Sequence, residues 1–409
     1  MSKLRFVTVV ATSLLAAACL PLTPDSGNES DGGASLDDAK SAGDASSVPS
    51  PQLKALSAGS EMTCAVLVDG TVRCFGRNSD GQLGNGVRTT EATVRPVQVV
   101  GISDAIAVSA GVAYACALRA GGTVVCWGSG AMGLLGNGTT DDALAPTAVA
   151  NLSGVVEIAT GYASTCALEG DGTVWCWGRG GEIGSTSGAG SNVPLQVAGL
   201  SGISHLANAN EGGTSVASLV CARRNDGAVL CFSSENLEGQ LGIGTQDPSR
   251  VPVAVSGIGD ATQITASLLH SCAVRADGTY CWGAGQLVGD GTIDRRLTPV
   301  RVTTTLFSDL SSGLYHTCGR EPSGAVSCWG ETKRGQVGDG QPIQGNDVRL
   351  APTKTLVTNA ELLSAGEFHT CAYTKLGKTL CWGANAYGEL GSGETGSFAK
   401  TSVPTEVRW

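Results

Sequence analysis

The sequence predicts an all-β protein: a seven-bladed β-propeller of four-stranded antiparallel blades, with one disulfide-closed hairpin per blade. Three observations predict it. Fourteen of the fifteen cysteines fall into seven pairs: Cys64 and Cys74, Cys116 and Cys126, Cys166 and Cys176, Cys221 and Cys231, Cys272 and Cys281, Cys318 and Cys328, Cys371 and Cys381. The first members of successive pairs lie 46 to 55 residues apart, and a self-similar period near fifty marks a propeller or another repeat array. Between the members of each pair, short apolar alternations flank a glycine turn, the signature of a β-hairpin.

Ahead of the repeats, Lys3 and Arg5 charge a short n-region, and Phe6 to Ala18 form an apolar run too short to span a bilayer. LLAAAC then ends at Cys19. This resembles a bacterial lipoprotein signal, with residues 1–18 removed and Cys19 lipidated, although Ala16 stands where that motif usually carries leucine. Plain secretion is the alternative. Leu20 after the cysteine favours the outer over the inner membrane by the same resemblance. Residues 19–52 read as the lipidated cysteine and a tether. The stretch is rich in Ser, Gly, Ala and Asp and lacks aromatics, so it cannot bury enough apolar surface to fold. The propeller is expected over 53–409.

Within a repeat, the first strand ends in a small-residue glycine segment, as in VSAG (108–111) and LLSAG (362–366). The hairpin follows. In MTCAVLVDGTVRCFG (62–76), a three-residue loop of Val68, Asp69 and Gly70, a type I turn with glycine in the left-handed region, sets Leu67 opposite Thr71. Cys64 then faces Cys74, within reach of a disulfide. The same spacing sets Cys116 opposite Cys126, Cys166 opposite Cys176, Cys221 opposite Cys231, Cys318 opposite Cys328 and Cys371 opposite Cys381. Each such staple contributes roughly 2.5–3 kcal/mol in the chain-entropy model. Nine-residue spacing does not suit structural zinc, whose cysteines lie two to four residues apart. The fifth repeat, HSCAVRADGTYCWG, is one residue short. The common loop would set Cys281 opposite Ala273, so an altered turn or bulge is expected there.

After the hairpin comes a glycine cluster: GQLGNG (81–86), GLLGNG (133–138), GQLGIG (239–244), GQVGDG (335–340) and GELGSG (388–393). These read as turns needing positive φ or close backbone approach. No GKS or GKT follows them, so they do not cradle phosphate. A proline-bearing alternation such as RPVQVV (95–100) supplies the fourth strand.

The recurring "AG-x-x-H-T-C-A", "DGTVxCWG" and "GQLGxG" resemble the regulator of chromosome condensation repeat family. The resemblance covers 53–409 and implies a seven-bladed propeller. The cysteine pairs are a departure that suits an oxidising compartment. The fourth repeat, SLVCARRNDGAVLCFSS, lacks both AG and WG, and the third has GEIG (181–184) for GQLG. The nucleotide-exchange activity of a nuclear member is not carried over to an exported, acidic chain.

Net charge −10 and pI near 4.9 argue against nucleic acid or an anionic membrane surface as partner. The membrane is expected to be met only through the lipid anchor. No nucleophile–base signature appears, the DGT turn differs from a sialidase Asp-box, and no catalytic residue, metal or cofactor is assigned. His270, His316 and His369 share the slot two residues before the first cysteine. A repeat-equivalent slot reads as packing or hydrogen bonding rather than metal ligation. Trp127, Trp177, Trp282, Trp329 and Trp382, with Phe75 and Phe232, recur at the CWG position and read as packing between blades.

Tyr114, Tyr162, Tyr315 and Phe368, with Leu269 in the fifth repeat, fall between the repeat's glycine and its first cysteine. There they either ring one face as a partner-binding surface or fold inward as core. Residues 207–217 and 341–354 are further candidate contacts, or tolerated insertions. The sequence therefore reads as a monomeric, non-catalytic binding module for a protein or glycan partner. A structural envelope lipoprotein without a ligand is the alternative, and an enzyme the third.

Overall fold

The computed structural model describes residues 50–209, 218–345, 347–396 and 399–409. The leader 1–18, Cys19, the tether up to residue 49, and 210–217 of the candidate stretch 207–217 lie outside the described residues. Seven four-stranded antiparallel sheets are present, and in each the strands follow one another in chain order. Blade 1 runs Leu53–Ala58, Met62–Leu67, Val72–Asn78 and Thr89–Gln98. The innermost strands of blades 2 to 7 are Ala105–Ala110, Val155–Thr160, Ile203–Asn208, Gln263–Ala266, Asp309–Ser312 and Ala360–Ala365. Blade 7 ends on its own outer strand, Lys400–Glu406, so no strand is exchanged to close the ring.

The hairpins follow the predicted register. Cys64 pairs with Cys74 across the ladder, and the Leu67 amide donates to the Thr71 carbonyl at 2.9 Å. Gly70 adopts φ +81°. A side chain there would also strike the Ser103 carbonyl at 2.5 Å, because the Gly70 carbonyl receives the Ala105 amide of the next blade. Asp69 and Thr71 flank the glycine for a local reason. The Asp69 carboxylate accepts from the Thr71 amide at 2.9 Å and from its hydroxyl at 2.7 Å, which lowers the Asp69 pKa and fastens the turn.

The same opposition recurs in the other full-length hairpins. Cys116 faces Cys126, Cys166 faces Cys176, Cys221 faces Cys231, Cys318 faces Cys328 and Cys371 faces Cys381. These pairs, with Cys64–Cys74 and Cys272–Cys281, are all disulfides, with Cα atoms 4.0–4.1 Å apart. In the fifth blade the turn contracts to Ala276 and Asp277. Arg275 pairs with Gly278, and Cys272 still faces Cys281. Gly278 accommodates the tighter turn with φ +147°, pressed against the Thr303 carbonyl.

Three layers of contact join neighbouring blades. Around the central channel, hydroxyls of one inner strand receive main-chain amides of the next: Ala110 N–H to Ser57, Thr160 to Ser109, Ser312 to Thr265, Ala365 to Ser311, and Ala58 to Ser364. The last of these closes the ring from blade 7 to blade 1. At the next radius lie the buried histidines. His270, His316 and His369 place Nε2 2.6, 2.7 and 2.8 Å from the threonine Oγ1 of the following blade, Thr317, Thr370 and Thr63. Thr370 donates its only hydroxyl proton to the Gln336 carbonyl, and Thr63 to that of Glu389. His316 and His369 must therefore donate from Nε2–H.

The third layer is the tryptophan. Trp127, Trp177, Trp282 and Trp382 donate Nε1–H to the carbonyls of Gln82, Leu134, Gln240 and Gln336 in the preceding blade, at 2.8–2.9 Å. Gly84, Gly136, Gly242 and Gly338, the second glycines of their clusters, lie against that ring, and Gly391 lies against Phe75. At Gly84 (φ +63°) a Cβ would stand 2.7 Å from the Trp127 indole. Blade 5 breaks the pattern. Its two cluster glycines, Gly285 and Gly289, stand one residue further apart, while the loop as a whole is two residues shorter from Cys281 than from Cys74 in blade 1. Gly285–Val288 close a single helical turn, and Trp329 Nε1 is buried without a partner. The packing role read for the CWG aromatics holds, since all seven of them are buried.

Candidate functional site

In an antiparallel blade the turn before the second strand and the loop after the third lie on one face. The segment carrying the candidate aromatics and the GQLG loop therefore share a surface, and the DGT hairpins occupy the opposite one. The loop is self-braced. Gln82, Gln240 and Gln336 accept, through Oε1, the amides of Asp80, Glu238 and Arg334, and Glu389 accepts that of Tyr387. The side chains two residues before this glutamine or glutamate are thereby presented at fixed points around the face.

The five candidate binding residues separate into three groups. Tyr114 is a correction. It is fully buried, because it opens the second strand of blade 2, in the slot that His270, His316 and His369 fill elsewhere. Its Oη lies 2.9 Å from Thr165 Oγ1 and 3.1 and 3.0 Å from the carbonyls of Gly161 and Ser164. It is a seam residue, not a surface one. Burial raises its pKa. Tyr162 is half-buried beside the seam of blades 3 and 4, where its amide donates to the Ala209 carbonyl. Leu269, Tyr315 and Phe368 come together. All three are half-buried and pack with Leu268 and Leu314 across blades 5 to 7. Tyr315 and Phe368 stack at 5.7 Å between ring centroids, 23° from parallel.

Arg334, not singled out from the sequence, completes this cluster. Its guanidinium carbon lies 3.5 Å from the Phe368 ring centroid, a cation–π contact. Tyr315, Phe368, Glu331, Lys333, Arg334 and Gln336 enclose a cavity of about 240 Å³. Lys333 pairs with Glu331 at 3.7 Å. Partial burial, with Glu331 and Glu367 nearby, raises the Tyr315 pKa and keeps the phenol neutral. The sequence held a signal for Arg334. Its place before the glycine of GQVG is taken in other repeats by Asp80, Met132, Glu238 and Tyr387, so the cation stands alone there. Of the stretch 341–354, residues Val348–Lys354 are the outer strand of blade 6.

The central channel is a second concavity, of about 280 Å³ and lined by polar inner-strand side chains. There His205 Nδ1 meets Glu157 at 2.8 Å. Burial opposes the charge on His205, but the hydrogen bond and charge of Glu157 outweigh it and raise its pKa. Asp309 faces the same lumen. Desolvation pushes it up to about 6 despite Arg320 and His205. Among the described residues no cluster of His, Cys, Asp and Glu has the grouping of a metal site. His270, His316 and His369 are sealed between blades, and burial depresses each to about 3, so they are held neutral.

Comparison with known proteins agrees with this architecture. Two models of the regulator of chromosome condensation (RCC1) repeat match the chain, one over residues 69–118 and 121–168, the other over 53–82, 105–133, 155–182 and 362–389. The ultraviolet-B receptor UVR8 of Arabidopsis thaliana is 28% identical over 388 residues, spanning 90% of this chain and 72% of the receptor. The probable E3 ubiquitin-protein ligase HERC4 of Homo sapiens is 31% identical over 166 residues, but those cover 37% of this chain and 15% of the ligase. A crystal structure of Kap60 bound to yeast RCC1 (Prp20) superimposes with a TM-score of 0.71 at 18% identity, over 91% of this chain and 90% of the matched one. With the repeat motifs and seven blades already in place, the chain belongs to the RCC1-like repeat family of seven-bladed propellers.

Proposed function

We propose that this chain is a non-catalytic protein-binding propeller, displayed on a bacterial cell envelope through a lipid on Cys19. The observation that carries the binding reading is the Tyr315–Phe368 stack, capped by Arg334 beside an open cavity. Aromatic and arginine side chains half-exposed in one cluster are the usual anchors of protein interfaces. The scaffold beneath them is fixed by disulfides and seam hydrogen bonds, so little order is lost on binding. The yeast RCC1 structure, of the same fold, is of a protein bound to another, Kap60. The non-catalytic part rests on chemistry withdrawn from use: fourteen cysteines in disulfides and three histidines sealed between blades. The envelope part rests on the leader and Cys19.

The test is a crosslinked capture from native envelope extract, with the oxidised protein as bait beside a Tyr315→Ala/Phe368→Ala double variant. A partner captured by the first and lost by the folded second supports the reading. Identical capture by both places the contacts elsewhere. No capture by either favours a structural lipoprotein or a glycan ligand. Labelling with a fatty-acid probe, lost on Cys19→Ser, checks the anchor.

A further inference from the structure

We propose that the cavity beside Phe368 is a pocket for a carboxylate side chain of the partner protein. The carboxylate is held by the Arg334 guanidinium and Gln336 Nε2, and an adjoining apolar residue of the partner lies on the Tyr315–Phe368 stack. This rests on the reading that the face docks protein, and it names the chemistry recognised.

Gln336 supplies the first argument. It borders the cavity and is fully buried, yet its Nε2 has no hydrogen-bond partner. Its side-chain oxygen and its carbonyl are both engaged. Oε1 holds the Arg334 amide, and the carbonyl takes both Thr370 and Trp382. The equivalent Gln240 spends its Nε2 on the Glu235 carbonyl. A buried donor left open at one repeat and closed at another points to an acceptor that arrives from outside.

Charge supplies the second. Glu331 is matched by Lys333, and among the described residues Arg334 makes no ion pair, only the contact with Phe368. The cavity thus presents a surplus cation on a chain of net charge −10. An ionised carboxylate has acceptors for both donors, and charge-assisted bonds of this kind favour it over a neutral amide. The aromatic stack alongside offers an apolar landing for the neighbouring residue.

The probe is an array of acetylated, amidated hexapeptides whose central residue is Asp, Glu, Asn or Gln, flanked by Leu or Phe. It is read against the oxidised full-length chain. Asp and Glu peptides should bind at least tenfold more tightly than their Asn and Gln counterparts. Gln336→Glu should abolish that preference while the chain still folds, because Glu182 and Glu389 occupy the same slot in their own repeats. Arg334→Gln should weaken acidic peptides at least tenfold while leaving the amide peptides unchanged. Equal binding of acidic and amide peptides overturns the pocket. So does binding that Tyr315→Ala/Phe368→Ala removes but Gln336→Glu leaves intact, and in that case the docking face itself stands. An array without acidic binders overturns the pocket too, and the envelope capture then decides the wider reading separately.

Discussion

His369 Nε2 lies 2.8 Å from Thr63 Oγ1 across the seam where the seventh blade meets the first. His316 and His270 make the same contact at the two preceding seams. A second proton on His316 or His369 would enter at Nδ1, which is buried and unpartnered in both. Burial holds all three near pKa 3 against an unfolded value near 6.5. Below pH 6.5 the unfolded chain binds protons that the fold refuses, and stability falls as pH falls. Glu389 acts in the opposite sense, since desolvation pushes it up to about 7. So do Asp309, at about 6, and the buried Glu182, which is raised. Between about pH 7 and 5 these carboxylates, together with His205, whose pKa Glu157 raises, offset part of the histidine loss. Below about 3.8, the ordinary value for Asp309, these carboxylates are largely protonated in both states and no longer offset the histidine loss. Chemical denaturation at a series of pH values should show a shallow loss from 7 to 5 that steepens toward about 4 kcal/mol per pH unit between about 4 and 3.

Glu389→Gln isolates one carboxylate. Glutamine serves this slot in Gln82, Gln240 and Gln336, and its Oε1 retains the bond to the Tyr387 amide. The variant should be more stable than the parent by about 2 kcal/mol above pH 7 and equal to it below about 4.5. Its acid decline should also begin at a higher pH. A variant less stable at pH 8 would show that the Glu389 charge is compensated in the fold.

Trp382→Phe and Trp329→Phe should differ. Trp382 gives up a buried hydrogen bond and leaves the Gln336 carbonyl with Thr370 alone. Trp329 has no such bond to lose and keeps its stack on Phe307. Denaturation midpoints should place Trp382→Phe about 1 kcal/mol below Trp329→Phe.

Tyr114 and Tyr315 should separate stability from binding. Tyr114→Phe removes a hydroxyl bonded across the seam of blades 2 and 3. It should cost about 1–3 kcal/mol of stability and leave partner capture intact. Tyr315→Ala should reduce capture with a stability change under about 1.5 kcal/mol, the side chain being half-exposed. The reverse pattern would move the binding surface to another face.

The fold was legible in the sequence because the blades repeat the same obligations: a staple and a turn glycine in every one, and in all but the third a glycine against an aromatic ring. The contracted fifth turn was legible for the same reason, as a missing residue between Cys272 and Cys281. The site was harder to read. Tyr114 and Tyr315 differ by one place relative to their cysteines, and that single step separates the first residue of a strand, aimed into a seam, from a turn residue that reaches the surface. An alternation rule blurs there, where the strand begins. Arg334 and Gln336 escaped notice because a glutamine in GQVG looks like its equivalents. Only the open Nε2 sets it apart, and that is a property of neighbours rather than of residue type.

Because every blade is completed by its own repeat, the join between blades 7 and 1 is built like the others, with Thr63, Ser364 and Gly391 in their repeat-standard roles. Trp409 adds an edge-to-face contact with Phe75 of blade 1, so the two ends of the folded ring meet. In topological terms the domain is a cycle, and the gene opens it at one of seven near-equivalent positions. Cyclic permutation, with residues 50 and 409 bridged and new termini set at the linker around Gly101, would present the same closed ring.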